Sequence, residues 1–458
     1  MKPNQRCRSF LSHSRTTVNT ERVSAFITAN WRILVIICIS VLEAVLNLGR
    51  RWPDSKMYVS LSDFFLGKNP EYLEQIPQPY TSSPRRPAIP FLASLLMPTL
   101  GIQLSYGIIN TFFWVGAAII SYKTAEILSD RDRAFLSALL FTTSVPMIAY
   151  GSSILTDVGG YFAVGASLYM CLYERGKTMR RRTYFIQALL LAVACLINEM
   201  AIFGLLFLLF VRARERKGTT ETLMAAGIVV AGVVLVILSN PYYSKFMAKA
   251  FEHYTTTYVS LLSGPRYSGG KYPTFPDALI WTFRLYSPLA SLLSVPIVDL
   301  FATYTLRYFF LIFIVLLAVG LYDIPEKGTT YSYLPFLALY VFISRLNYER
   351  YLFALWPVFV PALICGSHRL VRYLLASILK LYAATIRVVS RVGFIADRQE
   401  TRIHKNLGSN ATRKIRRLSS LVLAVWLIYQ AYDNTLDIAL QFGLSPVLID
   451  FLRSLHFP

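Results

Sequence analysis

At 458 residues, with 55% hydrophobic residues, only 16% charged ones and a mean hydropathy of +0.48, the chain is too apolar to be a soluble globular protein. Its net charge of +21 would point to nucleic acid in a soluble protein, but no basic and aromatic motif sits in a soluble domain. Lys and Arg crowd instead into the loops between apolar runs, as membrane insertion requires, so nucleic acid is excluded as a partner.

The apolar runs, each of roughly 15 to 22 residues, predict an all-α polytopic membrane protein of about eleven transmembrane helices, because backbone polar groups in lipid must be satisfied within each segment. The short alternating strands of a membrane β-barrel are not seen. Cys7, Cys38, Cys171, Cys195 and Cys365 are scattered without metal-ligand spacing and read as free thiols.

Residues 1–30 form a basic arm carrying Lys2, Arg6, Arg8, Arg15 and Arg22 against Glu21. The apolar run after it is too long for a signal core and lacks a small-residue cleavage site, so residues 31–48 read as a retained first span. Arg50 and Arg51 follow that span and leave its orientation undecided on charge alone. Later loops decide it. Lys123, Arg131 and Arg133 after a second span (103–122), Arg175, Lys177 and Arg180 to Arg182 after a fourth (158–173), and Arg212, Arg214, Arg216 and Lys217 after a sixth (200–211) share one side if spans alternate. That side is expected to be the cytoplasm, which puts the loop 49–102 outside.

Within this loop Tyr58, Leu61, Phe64 and Phe65 recur at helical spacing and predict a short interfacial helix. Pro77, Pro79 and Pro84 then break the chain, and the apolar stretch 88–96 is too short to cross, so a re-entrant or juxtamembrane helix is expected. A third span covers 135–149. The fifth (184–197) and sixth are short and separated only by Asn198-Glu199, which brings Glu199 to membrane depth. A seventh span (223–238) leads to a second external segment, 240–304, rich in Tyr and interfacial in its middle. Further spans cover 307–322, 333–344 and 351–365, the last two separated by Arg345-Leu346-Asn347-Tyr348-Glu349-Arg350-Tyr351. An amphipathic basic piece (370–392) is expected to rest on anionic lipid, and a final span covers 421–440. The chain thus divides into a cytoplasmic arm (1–30), a transmembrane catalytic module (31–366) with external loops 49–102 and 240–304, a basic cytoplasmic segment (367–417), and a C-terminal span with an external tail (418–458).

The order of landmarks resembles the GT-C superfamily of membrane glycosyltransferases, in the branch of protein O-mannosyltransferases and lipid A aminoarabinose transferases. Members carry an acid in the first external loop, then interfacial helices and an "RP-apolar-P" return, matched here by Asp54, the stretch 58–65 and Arg86-Pro87-Ala88-Ile89-Pro90. Thr156-Asp157 matches a small-polar-plus-Asp pair at the external start of the fourth span. Asn198-Glu199 matches a "(K/R)-E" element imperfectly, since Asn198 replaces the basic residue. Arg350-Tyr351, six residues before Pro357, matches a late "RY-apolar-P" element. The first-loop acid is usually doubled, whereas Ser55 follows Asp54, so a single carboxylate must suffice.

The resemblance implies an enzyme using a polyprenyl-phosphate-linked sugar, with inverting transfer to an acceptor glycan, lipid or protein, on the non-cytoplasmic face of a plasma or inner membrane rather than the endoplasmic reticulum. Such chemistry needs a base, cations for the departing phosphate and an apolar groove for the isoprenoid. Asp54 is the candidate base, and Asp157 a second catalytic acid that orients the acceptor or binds a divalent metal ion jointly with Asp54. Arg85, Arg86, Arg345, Arg350 and Lys56 are candidates for the donor phosphate, since guanidinium matches phosphate oxygens in pairs. Tyr58, Glu199, Tyr348 and Tyr351 are candidates for substrate binding.

Each has an ordinary alternative. Asp54 would cap the next helix or pair with Arg50, Arg51 or Lys56, Thr156-Asp157 would cap the fourth span, and the arginines would anchor at the interface. Rival functions are a lipid-linked oligosaccharide flippase, which should show internal repeats, and a ligase or polymerase of lipid-linked glycans.

Overall fold

A computed structural model of the protein describes residues 27–52, 54–68, 86–245, 247–248, 251–252, 279, 282–283, 302–344, 349–392 and 409–442. Arg85, Arg345 and Tyr348, and most of the segment 240–304, lie outside the described residues. Among the described residues every regular element is helical and no strand occurs. The protein is an all-α, multi-pass membrane protein.

The first span is α1, Ile27–Leu46, and the interfacial helix of the first loop is α2, Ser55–Phe65, whose Met57, Tyr58, Leu61 and Ser62 are buried on one face. The juxtamembrane stretch and the second span form one hydrogen-bonded helix, α3 (Ala88–Leu128), divided at Gly101, where φ is 71° and ψ 171°. Pro98 lacks an amide donor in the same region, so the break falls where the ladder is already weakest. The third span is divided into α4 (Arg131–Thr142) and α5 (Val145–Tyr150), with Pro146 at the start of α5. α6 (Asp157–Glu174), α7 (Arg181–Ala194), α8 (Met200–Glu215) and α9 (Thr219–Ser239) follow. At about 1.5 Å per residue neither α7 nor α8 reaches across a hydrocarbon core of about 30 Å, as the short fifth and sixth runs predicted.

Late in the chain come α10 (Ala302–Asp323), α11 (Lys327–Ser344), the single turn α12 (Glu349–Leu352), α13 (Trp356–Val392) and α14 (Ser409–Phe442). The sequence divides α13 into a span and a separate amphipathic piece, but the structure runs both as one helix of 37 residues. Nothing between 365 and 370 breaks the helical ladder. Among the described residues four helices are long and apolar enough to cross a membrane by composition alone: Ile27–Leu46, Ala88–Leu128, Thr219–Ser239 and Arg350–Tyr382. α9 is the plainest of these, exposing Leu223, Ile228, Val234, Leu235 and Leu238 as a lipid-facing helix should.

α3 packs on α4 and α6, and α13 on α10 and α4. At the centre Trp356 meets Phe141 at 4.5 Å between ring centroids, Phe353 meets Phe141 at 5.5 Å and Tyr161 at 5.1 Å, and Trp356 Nε1 donates to the Tyr161 carbonyl at 3.2 Å.

One end of the bundle is tied by ion pairs: Arg32–Asp132 at 2.6 Å, Arg212–Glu174 at 2.6 Å, Arg369–Asp323 at 2.6 Å, Arg416–Asp130 at 2.8 Å, and Arg175–Glu326. These are the basic loops that the charge pattern groups on one side. Arg50 departs from that pattern for a local reason. It is buried, donates to Asn47 Oδ1 at 3.0 Å and to the Ile438 carbonyl of α14 at 3.4 Å, and burial pulls its pKa down to about 10. It is a helix clamp, and its charge carries no information on orientation.

Candidate active site

The other end of the bundle gathers Asp54, Arg86, Asp157, Glu199 and Arg350. Their placement starts with two loops stitched together. Gly49 N–H donates to the Ser152 carbonyl at 3.2 Å, Ile154 N–H to the Arg50 carbonyl at 3.0 Å, and Ser55 Oγ to the Ile154 carbonyl at 3.0 Å. Trp52 Nε1 reaches the Ala149 carbonyl at 3.2 Å and Ser153 Oγ at 3.0 Å. Asn110 of α3 fixes the same loop through the Ser153 and Leu155 carbonyls, at 2.6 and 3.0 Å. Gly49 makes the entry turn at a φ of +69°, and a Cβ there would lie 2.7 Å from Gln103 Cβ, so the position demands glycine.

Asp54 stands at the start of α2 but makes no capping hydrogen bond. Its Oδ2 accepts from Arg350 Nη1 at 2.8 Å, with the two side chains 26% and 19% exposed. The pairing with Arg50, Arg51 or Lys56 that a local reading allows does not occur. Arg350 is held by α6, since Tyr161 donates its hydroxyl to the Arg350 carbonyl at 2.8 Å. Tyr161 follows Asp157 by one helical turn, so the two share a face of α6.

Asp157 is 1% exposed, and neither carboxylate oxygen has a hydrogen-bond partner. Thr156, ahead of it, makes no side-chain cap either, so the capping explanation of Thr156-Asp157 fails. The charges that act on Asp157 are those of Arg350, Arg86, Asp54 and Glu199. A buried carboxylate without a hydrogen bond is costly, and it is tolerable here because two guanidiniums supply the field.

Arg86 is engaged on all sides. Nε donates to Glu199 Oε2 at 2.5 Å and Nη2 to Glu199 Oε1, while Nη1 reaches the Tyr58 hydroxyl at 2.9 Å and Thr156 Oγ1 at 3.1 Å. Burial alone would lower its pKa, but Glu199 and Tyr58 outweigh burial and hold the guanidinium well above its usual range. Burial pushes the Tyr58 phenol up against the opposing pull of Arg86, so it stays protonated at neutral pH. Asn198, where a basic residue was expected, donates to the Thr156 carbonyl at 3.4 Å and accepts from the Met200 amide at 3.1 Å. Its packing against α6 leaves room only for glycine at 160, where a Cβ would meet Asn198 Cγ at 2.9 Å.

Tyr351 sits beside Arg350, whose guanidinium carbon lies 5.0 Å from its ring centroid. Tyr340 of α11 faces Tyr351 at 6.3 Å, and its buried hydroxyl has no hydrogen-bond partner. The sequence reading missed Tyr340, because nothing in the pattern separates it from ordinary interfacial tyrosines. Lys56 points elsewhere, into a groove on the other face of α2.

A divalent metal ion held by Asp54 and Asp157 was one expectation. Among the described residues no group of three or more His, Cys, Asp or Glu side chains converges, Asp54 is bonded to Arg350, and the charges next to Asp157 include two guanidiniums, which repel a cation. The residues do not fit a metal.

No protein-family model matches the sequence, and a search of curated proteins finds no significant match. Among solved structures the chain is similar to ArnT from Cupriavidus metallidurans in the apo state, with TM-score 0.52 and 11% identity over 92% of this chain and 78% of that one. It is similar also to ArnT bound to undecaprenyl phosphate, with TM-score 0.57 and 14% identity over 90% of this chain and 77% of that one. A looser likeness, at TM-score 0.43 and 12% identity over 92% of this chain and 56% of the other, is to the archaeal oligosaccharyltransferase AglB from Archaeoglobus fulgidus in complex with an inhibitory peptide and a dolichol-phosphate. The fold is therefore that of the GT-C membrane glycosyltransferases.

Proposed function

We propose that the protein transfers a sugar from a polyprenyl-phosphate donor to an acceptor on the non-cytoplasmic face of the membrane, with inversion. The observation that carries this reading is the Asp54–Arg350 hydrogen bond beside the unpartnered, buried Asp157. An acid, a cation and an open acceptor of hydrogen bonds meet at one end of a GT-C bundle. The likeness to ArnT bound to undecaprenyl phosphate supports a lipid phosphate as the donor's leaving group.

In the reaction the donor phosphate engages Arg350, whose planar fork matches two phosphate oxygens. Asp54 is then free to accept the proton of the acceptor hydroxyl or phosphate. The acceptor oxygen forms a bond to the anomeric carbon as the bond from that carbon to the phosphate oxygen breaks. The bonding pair leaves with the polyprenyl phosphate, whose growing charge Arg350 stabilises. Asp157 and the Tyr340 hydroxyl take hydrogen bonds from the sugar or acceptor, and Tyr351 packs against them. Arg86, with its donors spent on Glu199, Tyr58 and Thr156, positions the two loops instead of binding phosphate.

The test is transfer by the full-length protein, reconstituted in liposomes with a panel of polyprenyl-phosphate hexoses and acceptor lipids. Asp54→Asn is expected to lower transfer by about 10² to 10⁴-fold with normal membrane insertion. Turnover near the wild-type rate in that variant would overturn the assignment.

A further inference from the structure

α2 carries a second face. At 100° per residue Lys56, Val59, Ser60 and Asp63 fall within an arc of about 100°, roughly opposite the arc of Tyr58, Leu61 and Ser62 that packs on the candidate active site. The outer arc lines a groove of about 400 Å³, completed by Arg51, Trp52 and Ser55 before it, by Lys68 after it and by Ile102 of α3.

The groove is built of two chemistries. Arg51, Lys56 and Lys68 bring three positive charges against the single carboxylate of Asp63, which lies 4.0 Å from Lys68. Among the described residues neither Arg51 nor Lys56 pairs with an acid. Trp52, Val59 and Ile102 form an apolar wall, and Leu95 and Leu100, earlier in α3, are exposed. The groove follows directly on α1, a helix long and apolar enough to cross a membrane, and a groove at the end of such a helix is expected at the headgroup boundary. A free anion would use the cations and leave the wall idle, and an acyl chain alone would leave three charges unanswered. A phosphate head with chains attached uses both.

We infer that this groove binds the phosphate head of an anionic phospholipid, with its acyl chains laid along α3, at a site separate from the Asp54–Arg350 centre. The site stands independently of the donor and acceptor assigned above. It gives Lys56, Arg51 and Lys68 a common role: the headgroup fastens the outer face of the helix whose first turn presents Asp54.

Native mass spectrometry of the full-length protein, with phosphatidylglycerol and phosphatidylcholine offered in parallel, tests it. Wild-type protein is expected to hold one phosphatidylglycerol more tightly than any phosphatidylcholine, and Lys56→Ala with Lys68→Ala is expected to weaken that one binding step roughly thirtyfold. Lys56→Arg with Lys68→Arg should keep it, which guards against loss through misfolding, and Asp54→Asn should keep it too, which separates this site from the reacting one. Ser60→Trp, which fills the groove and leaves the charges, should lose it. Equal retention of the two lipids, survival of the tight step in the double alanine variant, or its displacement by millimolar inorganic phosphate would overturn the inference.

Discussion

Asp54 and Arg350 stand 296 positions apart in the chain and share a hydrogen bond of 2.8 Å. The helix start beside Asp54 goes uncapped, and the arginine's backbone carbonyl is held by Tyr161 one turn below Asp157, so neither side chain is where it is for local reasons. The pair closes the loop that carries α2 onto the late Arg350-Tyr351 element. In the proposed reaction a donor phosphate competes with Asp54 for the Arg350 guanidinium, which would couple donor arrival to exposure of the base.

Asp54→Asn keeps the size and one acceptor oxygen of the side chain and removes its capacity as a base. General base catalysis contributes about 10² to 10⁴ in rate, so transfer is expected to fall by that factor. Initial rates with saturating donor measure it, and insertion and thermal stability should stay near wild type because Asp54 is partly solvated.

Arg350→Lys keeps the charge and removes the planar fork. Loss of one preorganised donor to a developing oxyanion costs roughly 10² to 10³ in kcat, and the variant is expected to show that fall together with a raised KM for the donor. A lysine that restores wild-type transfer would show that charge alone suffices and that paired phosphate recognition is not in use.

Much of this was legible in the sequence, and what was not has a common cause. The helix of the first loop shows because Tyr58, Leu61 and Phe65 keep helical spacing, and the division of α3 shows in part because the stretch 88–96 is too short to cross a membrane. The residues of the centre could be marked as acids and arginines near a boundary. Their pairing could not, since Arg86 and Glu199 are 113 positions apart, and hydropathy reports depth in the membrane without reporting neighbours. Arg50 reads in sequence like any loop arginine, although its guanidinium is spent on Asn47 and α14. Tyr340 was hidden for the opposite reason: it lies in a helix where aromatic residues are ordinary. The continuity of α13 was missed because a change from apolar to amphipathic composition looks like a boundary, whereas the backbone needs a breaker to stop.

Glu199→Ala leaves the buried Arg86 guanidinium, 7% exposed at its side chain, without its carboxylate. Breaking a buried pair costs about 3–5 kcal/mol, while replacing both partners with apolar residues is far milder. Thermal denaturation in detergent should therefore show Glu199→Ala less stable than Arg86→Met with Glu199→Leu. Both should lose transfer: the double variant removes the donor that Tyr58 and Thr156 share, and Glu199→Ala leaves that donor without the carboxylate that holds it in place.

Gly49→Ala tests the entry turn. The left-handed backbone costs an alanine about 1–2 kcal/mol, and its Cβ would press on Gln103 of α3. A lowered melting temperature is expected, with transfer reduced in proportion as the hydrogen bond from residue 49 to Ser152 weakens. Gly67, with a φ of +72° and open space around it, is the control: the alanine variant there carries the strain of the turn without the clash.

Asp157→Asn separates folding from function most sharply. The native carboxylate is buried with both oxygens unpartnered, a state that costs stability and that the proposed function explains by what it offers a ligand. A neutral amide of the same shape removes the buried charge, so the variant is expected to melt at or above the wild-type temperature. Transfer is expected to fall by at least ~10², since the hydrogen bonds a sugar or acceptor hydroxyl would donate there lose their charged acceptor. Stability and transfer moving in opposite directions is the signature of a group kept for catalysis. A variant that lost both together would show that Asp157 serves the fold, its charge being needed to hold Arg86 and Arg350 in place.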